Sequence, residues 1–190
     1  EFRNEDADRT HNPEFTELEL YQAYTDLDGM KEILMDLYIT TAKALHKSTK
    51  FEYQGHIIDV KKPWQSYSMS EALKKFAGID AEKVSEKDLN KLCTQHKIKV
   101  EKNPSKGMLI QALFEELVED KLIQPTFITH HPVESTPLAK PCREPHLNEN
   151  FVERFEPFIA GMEIGNAYSE LNDPILQRKS LEDQARKLRA

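Results

Sequence analysis

The chain has 190 residues, 38% hydrophobic and 31% charged, with a formal net charge of −7. That is enough chain for one domain with a sizeable core. It is too acidic for a broad nucleic-acid footprint but compatible with a local contact with an RNA end. No apolar run reaches the length of a membrane span and no secretory leader is visible. Cys93 and Cys142 are the only cysteines and show no metal-ligand spacing, so a reducing, cytoplasmic setting is expected.

The chain opens with Phe2-Arg3-Asn4-Glu5, a polar loop from Asp6 to Thr10, and His11-Asn12-Pro13. Pro13 biases Asn12 to extended geometry and bars a continuing helix. The next stretch reads as a strand, in which alternate side chains share a face. Phe15, Glu17, Glu19 and Tyr21 then line one side, and Thr16, Leu18, Leu20 and Gln22 form a side apolar enough for a core. A solvated sheet face is one reading of the polar row. The other is a cationic ligand held beside an aromatic wall, because strands are normally poor in Glu.

Asp26 or Asp28 can cap a helix running to about Leu45, with Met30, Ile33, Leu34, Leu37, Thr41, Ala44 and Leu45 at helical spacing. Residues 51–60 read as a hairpin pivoting on Gly55, and Trp64 is expected between helix and sheet. Ser68 and Glu71 have capping-box spacing ahead of a helix that ends at Gly78. Ser85 and Ser105 start two more helices, so a helical insertion spans about residues 68–122.

Phe127-Ile128-Thr129 is a short strand, and His130-His131 beside it lacks a ligand pair that would make a zinc site. Pro132, Pro137, Pro141 and Pro145 then limit regular structure. In the block 151–173, Ala160-Gly161 can turn the chain so that Glu156 and Glu163 face each other across a hairpin. Gly165 can host a bulge that reconciles Glu163 with the parity of Asn166 and Glu170. The converging carboxylates suit either solvent or a hard cation such as Mg²⁺. A charged helix with a thin apolar stripe, Leu176 to Leu188, closes the chain and is expected to pack weakly. The fold class expected from these elements is α+β, with antiparallel strands at both ends around the helical insertion.

The motif F-R-N-E, loop, H-N-P-E-F-T-x-x-E-x-Y, continued through Ala23-Tyr24-Thr25-Asp26, resembles motif 2 of the class II lysyl-tRNA synthetases. Glu163-Ile164-Gly165-Asn166-Ala167-Tyr168-Ser169-Glu170-Leu171-Asn172-Asp173 resembles the stretch before motif 3. Residues 125–129, Pro132-Val133-Glu134 and the Thr136-Pro137-Leu138 turn follow the same family. The resemblance implies a partial class II catalytic domain over 1–190. Its antiparallel sheet would belong to a longer, homodimeric enzyme with an anticodon-binding domain, and the chain alone is expected to be inactive.

The implied reaction is ATP-dependent activation of lysine to lysyl-adenylate, then transfer to the acceptor end of tRNA(Lys). By resemblance, Arg3 is catalytic and contacts the α-phosphate, and Glu5, His11, Asn12 and Phe15 complete the ATP site. Glu19 and Tyr21, expected as a buried carboxylate and phenol, hold lysine with Asn166 and Glu170. Glu156 and Glu163 are the Mg²⁺ ligands. Asp6-Ala7-Asp8 departs from the family pattern in the loop. Two further readings stay open: a paralogue that attaches a lysine-type residue to elongation factor P, and a non-catalytic binding module.

Overall fold

In a computed structural model, residues 1–4, 7, 11–100, 102–147 and 149–188 are described. Helix α1 spans Leu27–His46. The Asp26 carboxylate accepts from Gly29 N at 3.0 Å at its start, and Lys47 ends it at φ 57°. Strands β1 (Lys50–Tyr53) and β2 (His56–Asp59) form a hairpin. Its turn residues Gln54 and Gly55 both have positive φ, as a two-residue turn of this twist requires. The buried face of α1 differs from the expected stripe. Leu27, Met30, Leu34, Met35, Tyr38, Ile39 and Ala42 pack inward, while Leu37 and Leu45 are exposed. Apolar residues lie on more than one side of this helix, and the position of the hairpin and Trp64 decides which side is covered. Trp64 is buried as expected, stacked on Phe127 at 5.1 Å, with its Nε1 donating to Val60 O at 3.0 Å.

Strand β3 (Gln65–Ser68) was not expected, because its four residues carry one aromatic and no aliphatic side chain. It pairs in parallel with β4 (Thr126–Pro132). Parallel neighbours need a long crossover rather than a tight turn. Here the crossover contains α2 (Met69–Ala77), α3 (Glu86–Gln95), α4 (Lys106–Leu117) and a 3-10 turn, Glu119–Lys121. Ser68, Ser85 and Ser105 cap the three helices, and Ser68 and Glu71 complete a capping box.

Strand β5 (Phe151–Ile159) runs antiparallel to β4, and its other edge carries β6 (Met162–Glu163) and β7 (Ala167–Tyr168), both antiparallel. The sheet order is β3-β4-β5-β6, with β7 also on β5. Helix α5 (Pro174–Leu188) closes the described chain, with Asp173 accepting from the Ile175 and Leu176 amides. The fold is thus α+β, with mostly antiparallel strands and one parallel pair. No described helix is long and apolar enough to cross a membrane.

The two faces of the β4–β5 ladder support separate cores. On one, α1, Ile58, Trp64, Phe127, Phe155 and Ile159 pack together. On the other, α2, α3 and α4 cover Ile128 and Phe158, with Phe114 set edge-on against Phe158 at 5.8 Å. The opening segment joins neither core. Residues 15–21 form no ladder, and the only pairing near them among the described residues is the Phe2–Glu14 bridge. Leu18 and Leu20, expected to face a core, are 74% and 52% exposed. Alternation gave them a common side, but no described element lies against that side.

The β5–β6 turn fixes the 3-10 segment in place. Ala160 and Gly161 have φ of 54° and 71°. Their amides donate to Ile123 O at 2.9 Å and Leu122 O at 3.0 Å, and a Cβ on Gly161 would lie 3.1 Å from Asp120 Cα. Gly55→Ala adds a Cβ in open space and is expected to cost only the left-handed backbone penalty, about 1–2 kcal/mol. Gly161→Ala also forces backbone apart and is expected to cost more, on the order of 2–4 kcal/mol. Urea denaturation of the two variants measures the difference.

Candidate functional site

The first part of the site is the opening segment. Arg3 N donates to Pro13 O at 2.9 Å and Phe15 N to Glu1 O at 3.2 Å, which brings Arg3 alongside Phe15. The Arg3 guanidinium lies over the Phe15 ring, 5.0 Å from its centroid, and 3.5 Å from a carboxylate oxygen of Glu17. Phe15 and Glu17 therefore share a face, as alternation required, and Arg3 lies against both. Asn12 is exposed nearby, and Glu5 lies outside the described residues. Among the described residues the opening segment is too open for the buried carboxylate and phenol that were expected, since Glu19 is exposed and Tyr21 is 76% exposed.

The second part comes from β7 and the residues around it. Arg154 stands opposite Tyr168 in the ladder. Burial leads in raising the Tyr168 phenol, the negative potential of Glu170, Tyr21 and Glu19 adds to it, and Arg154 opposes. Tyr21 and Glu19 are thus within electrostatic reach of Tyr168, although about 150 residues of chain separate them. The Thr136-Pro137-Leu138 turn lies beside them. Ala139 bridges Glu170, and Leu171 N donates to Leu138 O at 2.9 Å. Asn166 presents its Oδ1 to Arg154 Nε at 2.9 Å.

The third part is an acidic cleft of about 250 Å³ between α4, the 3-10 turn and the β5–β6 hairpin, lined by Met69, Gln111, Phe114, Glu115, Glu119, Glu156 and Glu163. The register explains how Glu156 and Glu163 meet. Phe158 stands opposite Glu163, so Glu163 shares a face with Phe158 and, two residues along, with Glu156. The expected bulge at Gly165 is instead a gap. Pro157 has no amide hydrogen to give, the ladder breaks opposite it, and β6 and β7 become separate strands. Ile164 N still reaches Pro157 O at 2.9 Å. Burial leads in raising Glu163, while Arg154 and His11 oppose it, so His11 lies within electrostatic reach of the cleft.

The donor set of the cleft is all hard oxygen. No three His, Cys, Asp or Glu side chains among the described residues are grouped to hold a metal by themselves. Two carboxylates on one face fit Mg²⁺, which keeps several waters and takes substrate phosphates as further ligands. An orphaned oxygen adds to the fit. Gln111 Nε2 donates to Glu115 at 2.8 Å, while its buried Oε1 has no hydrogen-bond partner among the described residues. The His130-His131 pair is accounted for otherwise. His131 is buried with Nε2 3.2 Å from Ile128 O, and His130 sits at the β4 bulge with φ 57°. Burial raises both thiols, Cys142 to about 11, so neither is a ready nucleophile at neutral pH.

Sequence reasoning missed Arg154, Glu115, Glu119 and Tyr168. Arg154 could have been found, since it shares strand parity with Glu156. Glu115 and Glu119 carried no such signal, because on a charged helix end they read as solvated surface.

The family described as tRNA synthetases class II (D, K and N) matches residues 1–189. A lysine–tRNA ligase of Clostridium perfringens (strain SM101 / Type A) is 46% identical over 189 residues, covering 97% of this chain and 37% of that protein. Lysine–tRNA ligase 2 of Methanosarcina mazei is 46% identical over 98% of this chain and 36% of its own length. A lysine–tRNA ligase of Saccharolobus solfataricus is 45% identical over 96% and 37%. The chain spans little more than a third of the length of these curated relatives.

Glu119 is raised to about 7, first by burial, then by Glu115, Glu163 and Asp120. Glu156 is also raised to about 7. Burial leads, Arg154 opposes, and Glu163, Glu119 and Glu115 add to the rise. A carboxyl raised on folding holds its proton more tightly in the native state. Its contribution to stability is therefore full below its unfolded value, near 4.5, and is lost as pH rises through about 7. Glu119→Gln and Glu156→Gln are each expected to flatten the fall in stability between about pH 5 and pH 8, and Glu119→Gln to raise the melting temperature at the alkaline end. Thermal melts across that range measure both effects.

Proposed function

The chain belongs to the class II tRNA synthetases (D, K and N), and we propose that it forms part of a lysine–tRNA ligase that activates lysine with ATP and charges tRNA(Lys). The observation that carries this reading is the Arg3 guanidinium set over the Phe15 ring and against Glu17, on a segment whose Glu19 and Tyr21 lie within electrostatic reach of Tyr168. A cation-binding row and an anion-binding arginine with an aromatic platform suit an aminoalkyl substrate next to a nucleotide.

In the proposed reaction, a carboxylate oxygen of lysine attacks the α-phosphorus of ATP. The bond to the bridging oxygen breaks and pyrophosphate leaves. The ribose hydroxyl at the tRNA end then displaces AMP from the lysyl carbonyl. The chain's task is alignment of two anions and stabilisation of charge developing on phosphorus. Arg3 is the group for the α-phosphate, since a planar guanidinium donates to two oxygens at once. Phe15 offers its ring to adenine. Glu5, His11 and Asn12 complete the nucleotide site, with His11 on the phosphate side toward the cleft. Glu19, Glu170 and Tyr21 take the ε-ammonium, and Asn166 helps hold the amino acid. Glu156 and Glu163 would hold Mg²⁺, which supplies positive charge against the ATP phosphates when bound. The reading also includes the cytoplasm, where the thiols of Cys93 and Cys142 stay reduced, and a homodimeric parent enzyme, as the family resemblance implies.

Calorimetric titration of the chain with L-lysine and with norleucine, which lacks the ammonium, tests the reading. Lysine is expected to bind more tightly. Glu19→Gln is expected to weaken lysine roughly two- to fivefold, as for an exposed ion pair, and to leave ATP affinity unchanged. Tyr21→Phe has a smaller effect. Equal affinity for lysine and norleucine in the unaltered chain would sink the proposal. Mg²⁺ is expected to raise the melting temperature more at about pH 8 than at about pH 5, because protonated carboxyls are poor ligands.

A further inference from the structure

Phe2 stands opposite Glu14 in the opening bridge, which sets Glu1 opposite Phe15 and Arg3 opposite Pro13. The backbone bonds agree. Glu1 N donates to Phe15 O at 2.8 Å, Phe15 N to Glu1 O at 3.2 Å, and Arg3 N to Pro13 O at 2.9 Å. Arg3 is therefore the diagonal neighbour of Phe15, a separation that a long side chain spans. Glu17 follows two residues further along the same face. The guanidinium does not stay beside Pro13. It reaches across the Phe15 ring, 5.0 Å from the centroid, to a Glu17 oxygen at 3.5 Å.

Phe15 is half-buried although it belongs to neither core, and residues 11–14 and 16–21 are all exposed. Arg3 is the side chain set over its ring. The Arg3 and Glu17 side chains are 53% and 38% exposed, so their ion pair is held in water, where a stronger anion competes for the guanidinium. Adenine and the α-phosphate of a nucleotide are joined through one ribose. The base that accompanies a phosphate on Arg3 therefore stacks on the Arg3 side of Phe15, where the guanidinium itself now lies.

We propose that Glu17 is a positioning residue that draws Arg3 across the Phe15 ring, so that this platform is closed to a bare adenine ring and opens when an α-phosphate takes the guanidinium away. This rests on the reading given above and deepens it, because it makes the site select phosphorylated nucleotides over nucleosides. The exchange favours phosphate, which accepts two parallel N–H bonds from the planar fork. A nucleoside has nothing to offer the arginine and must displace it from the ring unaided.

Calorimetric titration of the chain with ATP and with adenosine tests this. Arg3→Ala is expected to weaken ATP by about tenfold or more, the worth of a hydrogen bond to a charged group. The same variant is expected to tighten adenosine about two- to fivefold, the worth of an exposed cation–π contact. Glu17→Gln keeps the shape, removes the charge, and is expected to tighten ATP about two- to fivefold. In the Arg3→Ala background Glu17→Gln is expected to change nothing, because Glu17 acts through Arg3. A gain that persists there is plain repulsion between Glu17 and the phosphates, and it overturns the proposal. So does adenosine that binds Arg3→Ala no better than the unaltered chain, an outcome that leaves the reading of the site standing as long as ATP is weakened. No ATP binding, or ATP binding indifferent to Arg3→Ala, sinks that reading and the proposal with it.

Discussion

The pairing of β4 with β5 is the constraint on which the rest depends. Thr126 faces Phe158 and Ile128 faces Glu156 in this ladder. Shifting it by one residue would exchange the faces of every side chain on β5. Phe155 would leave the aromatic cluster with Trp64 and Phe127, and Phe158 would lose Phe114. Glu156 would turn away from the cleft. The register is held because both faces are buried, one against α1, Ile58 and Trp64 and the other against the crossover helices, so a slip would put apolar groups in the wrong core twice over.

The same ladder sets up an electrostatic conflict. Burying Phe158 against α4 carries Glu156 and Glu163 into a cleft that α4 also lines with Glu115, and the 3-10 turn adds Glu119. Burial first, and then the crowding of these carboxylates, pushes two of them up to about 7. Arg154 relieves part of the conflict from one side. Its guanidinium also reaches Asn166 and Ser135, so relief of charge at one end and orientation of a polar group at the other come from the same side chain.

Much of the fold is legible in the sequence. The caps at Asp26, Ser68, Ser85 and Ser105 rest on local hydrogen-bond chemistry, and all four hold. The turns at Gly55 and at Ala160-Gly161 were visible because glycine takes positive φ at little cost, and both glycines do so. Strand β3 was not legible, because its place in the sheet comes from β4 and not from its own residues. The buried side of α1 was misjudged because a helix with apolar residues on several sides takes whichever side its neighbours cover.

For the site, alternation alone put Phe15, Glu17, Glu19 and Tyr21 in one row, and family resemblance supplied their expected roles. Charge type and spacing also singled out Glu156 and Glu163. The tertiary structure decided what the rows face. It brought Tyr168 within electrostatic reach of Glu19 and Tyr21, left Leu18 and Leu20 exposed, and added Glu115 and Glu119 from the crossover to the acidic cleft. It also gave Arg154 its partners Glu156, Asn166 and Ser135. Caps, turns and strand faces depend on neighbours within a few residues, so the sequence by itself determined them. The burial of a carboxylate and the choice among acceptors for a guanidinium depend on groups brought together from distant parts of the chain, and only the packed structure decided those.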